Sequence, residues 1–116
     1  MMRVEGLFRN TTDAIELSTG DLVFGEGDKG SEMYGIVEGS VELSVNGRTI
    51  ATLGPDDVFG EMAIIDQAQR MATATATAPT RLAVIDRRRF LFLVHETPTF
   101  AIQVMSTLAD RLRIEA

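Results

Sequence analysis

The stretch Phe59–Ala74, FGEMAIIDQAQRMATA, interrupts a chain that otherwise has the pattern of short strands with alternating side chains. Its first part, Gly60–Ile65, is too short for an ordinary helix and begins on a residue that can adopt a positive φ. Such a turn leaves its first backbone N–H groups unpaired and directed outward, which suits an anion. The pattern therefore predicts an anion-binding turn at the amides of Glu61, Met62 and Ala63.

Two charged side chains in the same stretch complete the predicted site. Arg70 supplies a permanent positive charge and a planar fork of N–H donors that fits phosphate. Glu61 cannot bind phosphate, but its carboxylate can accept a hydrogen bond from a sugar hydroxyl. Each also has an ordinary interpretation, Glu61 as a stabiliser of a helical first turn and Arg70 as an exposed loop arginine. Together they indicate a nucleotide site without a metal, in which Arg70 has no evident partner until a ligand binds.

The rest of the chain before residue 87 has the composition of short strands joined by Gly-rich turns. The predicted strands are 14–17, 22–24, 33–37, 41–45, 48–53, 72–78 and 81–86, after a short lead-in at 1–12. Asn46-Gly47 is a strong hairpin signal, because both central residues of a type I′ turn need a positive φ. Segment 72–78 alternates Ala with β-branched Thr and ends at Pro79, which favours a strand although Ala itself favours helix.

The period of the apolar residues changes after Asp86. Segment 87–95 predicts a helix with Asp86 as its N-cap and with Phe90, Leu91 and Val94 facing inward. Thr97-Pro98 predicts a break and a new start, since Pro is favoured at the first helical position. The apolar residues of the amphipathic helix predicted for 99–116 are Ile102, Met105, Leu108, Ala109 and Leu112. Strands followed by helices predict a mainly β fold with flanking α, an antiparallel β-roll covered by C-terminal helices.

Composition excludes several classes of function. The 116 residues are enough for one domain. A net charge of −6 argues against nucleic acid binding by this chain alone. With no cysteine and one histidine, His95, a metal-dependent β-roll enzyme is nearly excluded, and no nucleophile or base pair indicates catalysis. No apolar run predicts a membrane span and no leader predicts export, so a cytoplasmic location is expected.

Residues 60–73 resemble the phosphate-binding cassette of cyclic nucleotide-binding domains. That pattern has Gly-Glu, two small or apolar residues, an apolar pair, a short loop, and then Arg before a strand of small residues. The matching positions are Gly60, Glu61, Met62, Ala63, Ile64, Ile65 and Arg70. The chain departs from the pattern at Gln69, where the family often has Pro, and at Met71, where Ala, Ser or Thr is usual. The resemblance implies a cyclic nucleotide bound by Gly60, Glu61, Met62, Ala63, Arg70 and Met71.

The resemblance extends over nearly the whole chain. The glycines of the phrases FGEGD, MYGIVEGSV and LGPDDVFGE, together with Gly20, match those of the family. It implies a single domain with a lead-in at 1–12, a β-roll of the jelly-roll or double-stranded β-helix type at 13–86, and C-terminal helices at 87–116. The family's base-capping residues would fall near Glu115 and Ala116.

The implied function is that of a sensor module whose helices move when cAMP or cGMP binds. The lack of a hydroxyl at Met71 favours cAMP, since guanine recognition in the family often uses that hydroxyl. The resemblance also implies a possible homodimer through the C-terminal helix. Two alternatives stay open: a ligand-free roll that serves as an interaction or dimerisation module, and the effector half of a longer Crp/Fnr-like transcription regulator.

Overall fold

The computed structural model describes residues 3–66 and 69–115, with the backbone alone at 114 and 115. Its strands are β1 (Ile15–Leu17), β2 (Leu22–Phe24), β3 (Met33–Glu38), β4 (Val41–Val45), β5 (Arg48–Leu53), β6 (Val58–Phe59), β7 (Thr73–Ala76) and β8 (Thr80–Ile85). Its helices are α1 (Met62–Ile65), α2 (Arg87–Glu96) and α3 (Thr99–Glu115). The element order agrees with the sequence, although the strand predicted at 72–78 is shorter than expected.

The strands form two four-stranded antiparallel sheets, with orders β1-β8-β3-β6 and β2-β7-β4-β5. Consecutive strands repeatedly join different sheets, which is the winding of a β-roll. The predicted hairpin at Asn46-Gly47 joins β4 to β5, and both residues have a positive φ, 52° and 77°. The mainly β fold with an antiparallel roll is therefore confirmed.

Two apolar clusters build the core. The first lies between the sheets and includes Phe24, Tyr34 and Phe59. The second lies between the roll and the helices, where Phe8 of the lead-in packs edge-on against Phe100 of α3, with centroids 6.4 Å apart. A β-carbon at Gly35 would lie only 2.6 Å from a ring carbon of Phe8, so the bare backbone of β3 is what lets this ring enter the core.

The two long helices begin as predicted but present different faces. The side chain of Asp86 accepts a hydrogen bond from the Arg89 amide at 2.8 Å, which confirms the N-cap of α2. The prediction that Leu91 faces inward was wrong, because 56% of it is exposed, whereas Phe90 and Val94 pack against the core. A ten-residue helix on one side of a roll can bury only one narrow face, and Leu91 lies outside it.

The apolar stripe predicted for α3 is mostly its outer face. Exposed fractions are 48% for Ile102, 55% for Met105 and 69% for Leu112. The buried face carries Phe100, Gln103, Val104 and Thr107 instead. Two of these are polar and are tolerated because they are hydrogen-bonded: the Gln103 amide donates to the Asp56 carbonyl at 2.7 Å, and the Thr107 hydroxyl to the Gln103 carbonyl at 3.0 Å.

Candidate functional site

The cassette begins where β6 ends. Gly60 has a φ of 78°, the conformation predicted from its lack of a side chain, and Glu61 then enters the right-handed helical region. The single turn α1 follows at Met62–Ile65. One of the three amides expected to be free is not, because Ala63 donates to the carbonyl of Gly60 at 3.3 Å. That bond is long for N–H···O, so it is a weak competitor for an anion.

A cavity of about 400 Å³ opens between the cassette, the roll and α3. All six residues predicted for the site line it: Gly60, Glu61, Met62, Ala63, Arg70 and Met71. The remaining lining residues are Phe24, Leu43, Ile50, Gln69, Ala72, Leu108, Arg111 and Leu112. The structure thus brings the whole predicted set to one cavity of the size of a small-molecule site.

Glu61 is fully buried on one side of this cavity. Its Oε2 forms an ion pair with Nη1 of Arg111, which reaches down from α3. Its Oε1 is buried and has no hydrogen-bond partner in the described chain. Burying a carboxylate costs several kcal/mol unless it is paired, and the ion pair with Arg111 offsets that cost. One acceptor oxygen is left for another donor.

Arg70 is neither exposed nor without partners, contrary to both expectations for it. Only 7% of the residue is exposed. Nη1 donates to the Gly60 carbonyl at 3.1 Å, and Nη2 to the Glu32 carbonyl at 2.7 Å. The guanidinium carbon lies 4.2 Å from the ring centroid of Phe24. The arginine is therefore already held in place by the roll, and its buried Nε has no partner in the described chain.

The Arg70 guanidinium lies over the aromatic rings of Phe24 and Tyr34. Tyr34 stacks on Phe59 with centroids 5.4 Å apart, and Phe24 lies 6.1 Å from Tyr34. Burial raises the pKa of the Tyr34 phenol above its ordinary value, while the charge of Arg70 opposes that change. A cation over aromatic faces is stabilised by their quadrupoles, so these rings help to fix the guanidinium.

Three buried polar atoms of the described chain lack a hydrogen-bond partner: Glu61 Oε1, Arg70 Nε and Arg111 Nη2. All three belong to residues that line the one cavity. Because an unsatisfied buried polar group costs about 1–3 kcal/mol, native structures rarely contain a group of them without a reason. A ligand with acceptors for two donors and a donor for one carboxylate oxygen would satisfy the set.

The opposite wall of the cavity is apolar. Leu43 lines it from β4, and Leu108 and Leu112 line it from α3. Met71 stands at the mouth with 62% of its surface exposed. An apolar wall facing a charged end suits a ligand with a flat apolar part and a charged part.

Sequence reasoning missed Arg111. Its place on the site depends on how α3 crosses the cassette, which the helical periodicity alone does not give. A signal existed in principle, since a glutamate predicted to be buried needs a cation nearby. The predicted capping positions, Glu115 and Ala116, lie outside the described residues as far as their side chains are concerned.

Within residues 3–66 and 69–115, no group of three or more His, Asp or Glu side chains has the arrangement of a metal site. In the same part of the chain, none of the helices is both long and apolar enough to cross a bilayer.

The chain belongs to the cyclic nucleotide-binding domain family, whose profile matches residues 14–97. It is a regulatory domain of that family with Crp-like relatives. Over 99 residues it is 37% identical to the cyclic AMP receptor protein of Thermus thermophilus, covering 81% of this chain and 46% of the relative. Over 104 residues it is 32% identical to the CRP-like cAMP-activated global transcriptional regulator of Mycobacterium tuberculosis, covering 85% and 46%.

Solved structures agree with this assignment. The crystal structure of the Thermus thermophilus catabolite activator protein has a TM-score of 0.72 and 32% identity, covering 92% of this chain and 58% of that one. The CBD2 domain of PKAR bound to Sp-2Cl-cAMPS has a TM-score of 0.77 at 22% identity, covering 88% and 68%, a likeness of fold. The chain spans about half the length of the curated relatives it matches.

Proposed function

We propose that this domain binds cAMP in the cavity between the cassette and α3, and binds it more tightly than cGMP. The observation that carries the proposal is the convergence of three unsatisfied buried polar atoms, on Glu61, Arg70 and Arg111, at one cavity. A cyclic nucleotide has phosphate oxygens for the two donors and a ribose hydroxyl for the carboxylate. The remaining members of the site are Gly60, Met62, Ala63 and Met71.

The phosphate lies against Arg70 and the amides of the cassette. Nη1 and Nη2 of Arg70 each use one N–H on a backbone carbonyl, and Nε–H has no partner in the described chain, so the guanidinium keeps donors for an oxygen of the phosphate. Its positive charge offsets the single negative charge of a cyclic phosphate in a mostly water-free place. Amides at the start of the cassette, from Glu61 to Ala63, supply further donors, and the long bond from Ala63 to Gly60 is the one that must yield.

The ribose hydroxyl donates to Glu61. Oε2 of that carboxylate is paired with Arg111, whereas Oε1 has no hydrogen-bond partner in the described chain, and the residue lines the cavity. A hydrogen bond to a charged acceptor contributes more than a neutral one, about 1.5–3 kcal/mol. This contact distinguishes a ribonucleotide from its deoxy counterpart.

The base lies against the apolar wall. Leu43, Ile50 and Leu108 offer it packing surface. Met71, beside the phosphate-binding arginine, has no hydroxyl or amide with which to pair the polar edge of guanine. Since guanine would then lose hydrogen bonds with water that adenine does not need to lose, cAMP is the better ligand.

Binding is transmitted to the helices through Arg111. This residue joins the ligand site to α3, so a ligand that changes the surroundings of Glu61 favours one position of α3 over another. Residues 13–86 then act as the sensor and 87–116 as the responding element of one cytoplasmic domain without catalytic activity. In a longer protein of Crp/Fnr type, α3 would lead to the output domain.

The exposed stripe of α3 supports a homodimer. Ile102, Met105, Ala109 and Leu112 follow one another at intervals of three, four and three, which is the a/d pattern of a coiled coil. Three of them are about half exposed or more. We propose that a second copy of α3 covers this stripe.

The main alternative is a ligand-free roll that serves only for interaction. The ion pair between Glu61 and Arg111 favours it, because the carboxylate already has a partner without ligand. It leaves the three unsatisfied atoms without an explanation.

Isothermal titration calorimetry with cAMP and cGMP separates the two. We expect saturable binding of cAMP with one site per chain, weakened by Glu61→Gln and unchanged by Glu16→Gln, a carboxylate on the exposed part of β1. No heat with either nucleotide would refute the proposal and leave the interaction module.

A further inference from the structure

Three hydrogen bonds join Arg70 to the loop between β2 and β3. The Gly27 amide donates to the Arg70 carbonyl at 2.8 Å, and the Arg70 amide donates to the Asp28 carbonyl at 2.8 Å. The side chain then reaches the Glu32 carbonyl at 2.7 Å. Segment 27–32 therefore fixes both the backbone and the guanidinium of the same arginine.

Gly30, in the middle of this loop, lies directly against the guanidinium. A β-carbon on Gly30 would be 2.6 Å from both Cζ and Nε of Arg70, well inside van der Waals contact. The backbone of Gly30 is not in the left-handed region, so an L-residue could adopt its conformation. What the position requires is thus the absence of a side chain, and not a special φ.

We propose that Gly30 is a positioning residue for the ligand site: its bare backbone lets the Arg70 guanidinium lie where it reaches the Gly60 and Glu32 carbonyls and lines the cavity. The inference rests on the proposed function, because the ligand group that Arg70 binds there is the cyclic phosphate. Gly30 itself touches no ligand and acts through Arg70 alone.

A methyl group at this position would move the end of Arg70. The guanidinium is the far end of a flexible side chain, so it can swing away without unfolding the loop. In moving, it loses its carbonyl partners Glu32 and Gly60 and its place over Phe24. A donor misplaced by about 1 Å no longer matches a rigid phosphate, so affinity falls while the fold survives.

The chain offers a matched control at Gly54. It also lies outside the left-handed region, and a β-carbon there would meet no atom within 4 Å. We expect Gly30→Ala to weaken cAMP binding by about tenfold or more in calorimetry, and Gly54→Ala to change it by less than about twofold.

Tyr34 gives a second measurement that needs no ligand. It is the only tyrosine, and the chain has no tryptophan, so its ultraviolet absorbance can be titrated directly. Burial raises the pKa of the Tyr34 phenol, and the charge of Glu32 raises it further. The Arg70 guanidinium carbon lies 5.8 Å from the centroid of the Tyr34 ring, and its charge lowers that pKa. Displacing Arg70 in Gly30→Ala should raise the pKa of Tyr34 further, whereas Gly54→Ala should leave it unchanged.

Thermal melts complete the test through a double-mutant cycle. In the Arg70→Ala background the clash is gone, so Gly30→Ala should lower the melting temperature less there than in the parent protein. An equal loss in both backgrounds would refute the steric explanation, even if Gly30→Ala folds poorly.

The outcomes separate the two proposals. Suppose that the parent protein binds cAMP, that the Kd of Gly30→Ala is within about twofold of the parent value, and that the pKa of Tyr34 is the same in both proteins. The role proposed for Gly30 is then wrong, and the cAMP site stands. If the parent protein binds no cyclic nucleotide, the function is wrong, and the Tyr34 titration with the melting cycle still decides whether Gly30 positions Arg70.

Discussion

The Glu61 carboxylate and the Arg111 guanidinium form an ion pair that joins the start of the cassette to α3 across fifty residues of sequence. The carboxylate is fully buried and the arginine side chain is 21% exposed. Breaking such a pair from one side leaves a buried charge without a partner, which costs more than the pair itself contributes. The contact is therefore a structural link between the cassette and α3, and we propose it as the route by which a ligand at Glu61 affects α3.

The first prediction concerns the stability of the ligand-free protein. Arg111→Ala should lower the free energy of unfolding by about 3–5 kcal/mol, since Glu61 is left buried and unpaired. Urea unfolding measures the loss. Arg113→Ala, two residues along the same helix and 71% exposed, should change it by less than about 0.5 kcal/mol. Similar small effects from both variants would show that the pair is unimportant.

Replacing Arg70 should affect both binding and folding. Loss of the phosphate contact should weaken cAMP binding by roughly 2–4 kcal/mol, a rise in Kd of about 30- to 1000-fold. The sequence alone predicts no loss of stability, but two carbonyl partners and the Phe24 contact predict a loss of about 1–3 kcal/mol in Arg70→Ala. Arg48→Ala, at the exposed first residue of β5, is the control. Normal cAMP binding by Arg70→Ala would overturn the site assignment.

Base preference depends on Met71. The parent protein should bind cAMP more tightly than cGMP in a competition assay, and Met71→Thr should narrow that ratio by supplying a hydroxyl. Met71→Leu keeps the size without the hydroxyl and should leave the ratio unchanged. Tighter binding of cGMP by the parent protein would contradict this assignment of Met71.

The dimer prediction is tested on the outer face of α3. Met105→Glu should shift the protein towards monomer in sedimentation equilibrium, because a charge at a d position is buried in the dimer. Leu91→Glu places the same charge on an equally exposed apolar residue of α2, and should leave the association unchanged. A parent protein that is monomeric at all concentrations tested would refute the homodimer.

Much of the fold could be predicted because local rules decide it. The Asn46-Gly47 turn, the Asp86 cap and the positive φ of Gly60 each follow from what one or two residues can do. The six residues that the sequence predicts for the site all line one cavity, since the turn at Gly60 and Arg70 are close along the chain.

What could not be predicted depends on tertiary packing. Apolar periodicity located a stripe on α3 but could not give its buried side, because that side includes Gln103 and Thr107, whose polar groups are satisfied by hydrogen bonds. Arg111 was missed because its partner is distant in sequence. Arg70 was expected to lack partners because its partners are backbone carbonyls such as that of Glu32. Every residue carries a backbone carbonyl, so the residue types do not show which one the arginine reaches.

Thermal melts with three nucleotides test most directly whether the cavity binds a cyclic phosphate, as we propose. A ligand present at about a hundred times its Kd adds about 2.7 kcal/mol to the stability of the folded state. For a domain near this size that raises Tm by roughly 10 °C. AMP has the same base and ribose, but its phosphate carries an extra charge and is not tied back to the sugar.

We expect an order at matched millimolar concentration: the largest rise in Tm with cAMP, a smaller rise with cGMP, and almost none with AMP. A Tm that stays flat with all three would contradict ligand binding and favour the interaction module. A rise with AMP equal to that with cAMP would contradict the assignment of Glu61 and Arg70 to a cyclic phosphate and ribose.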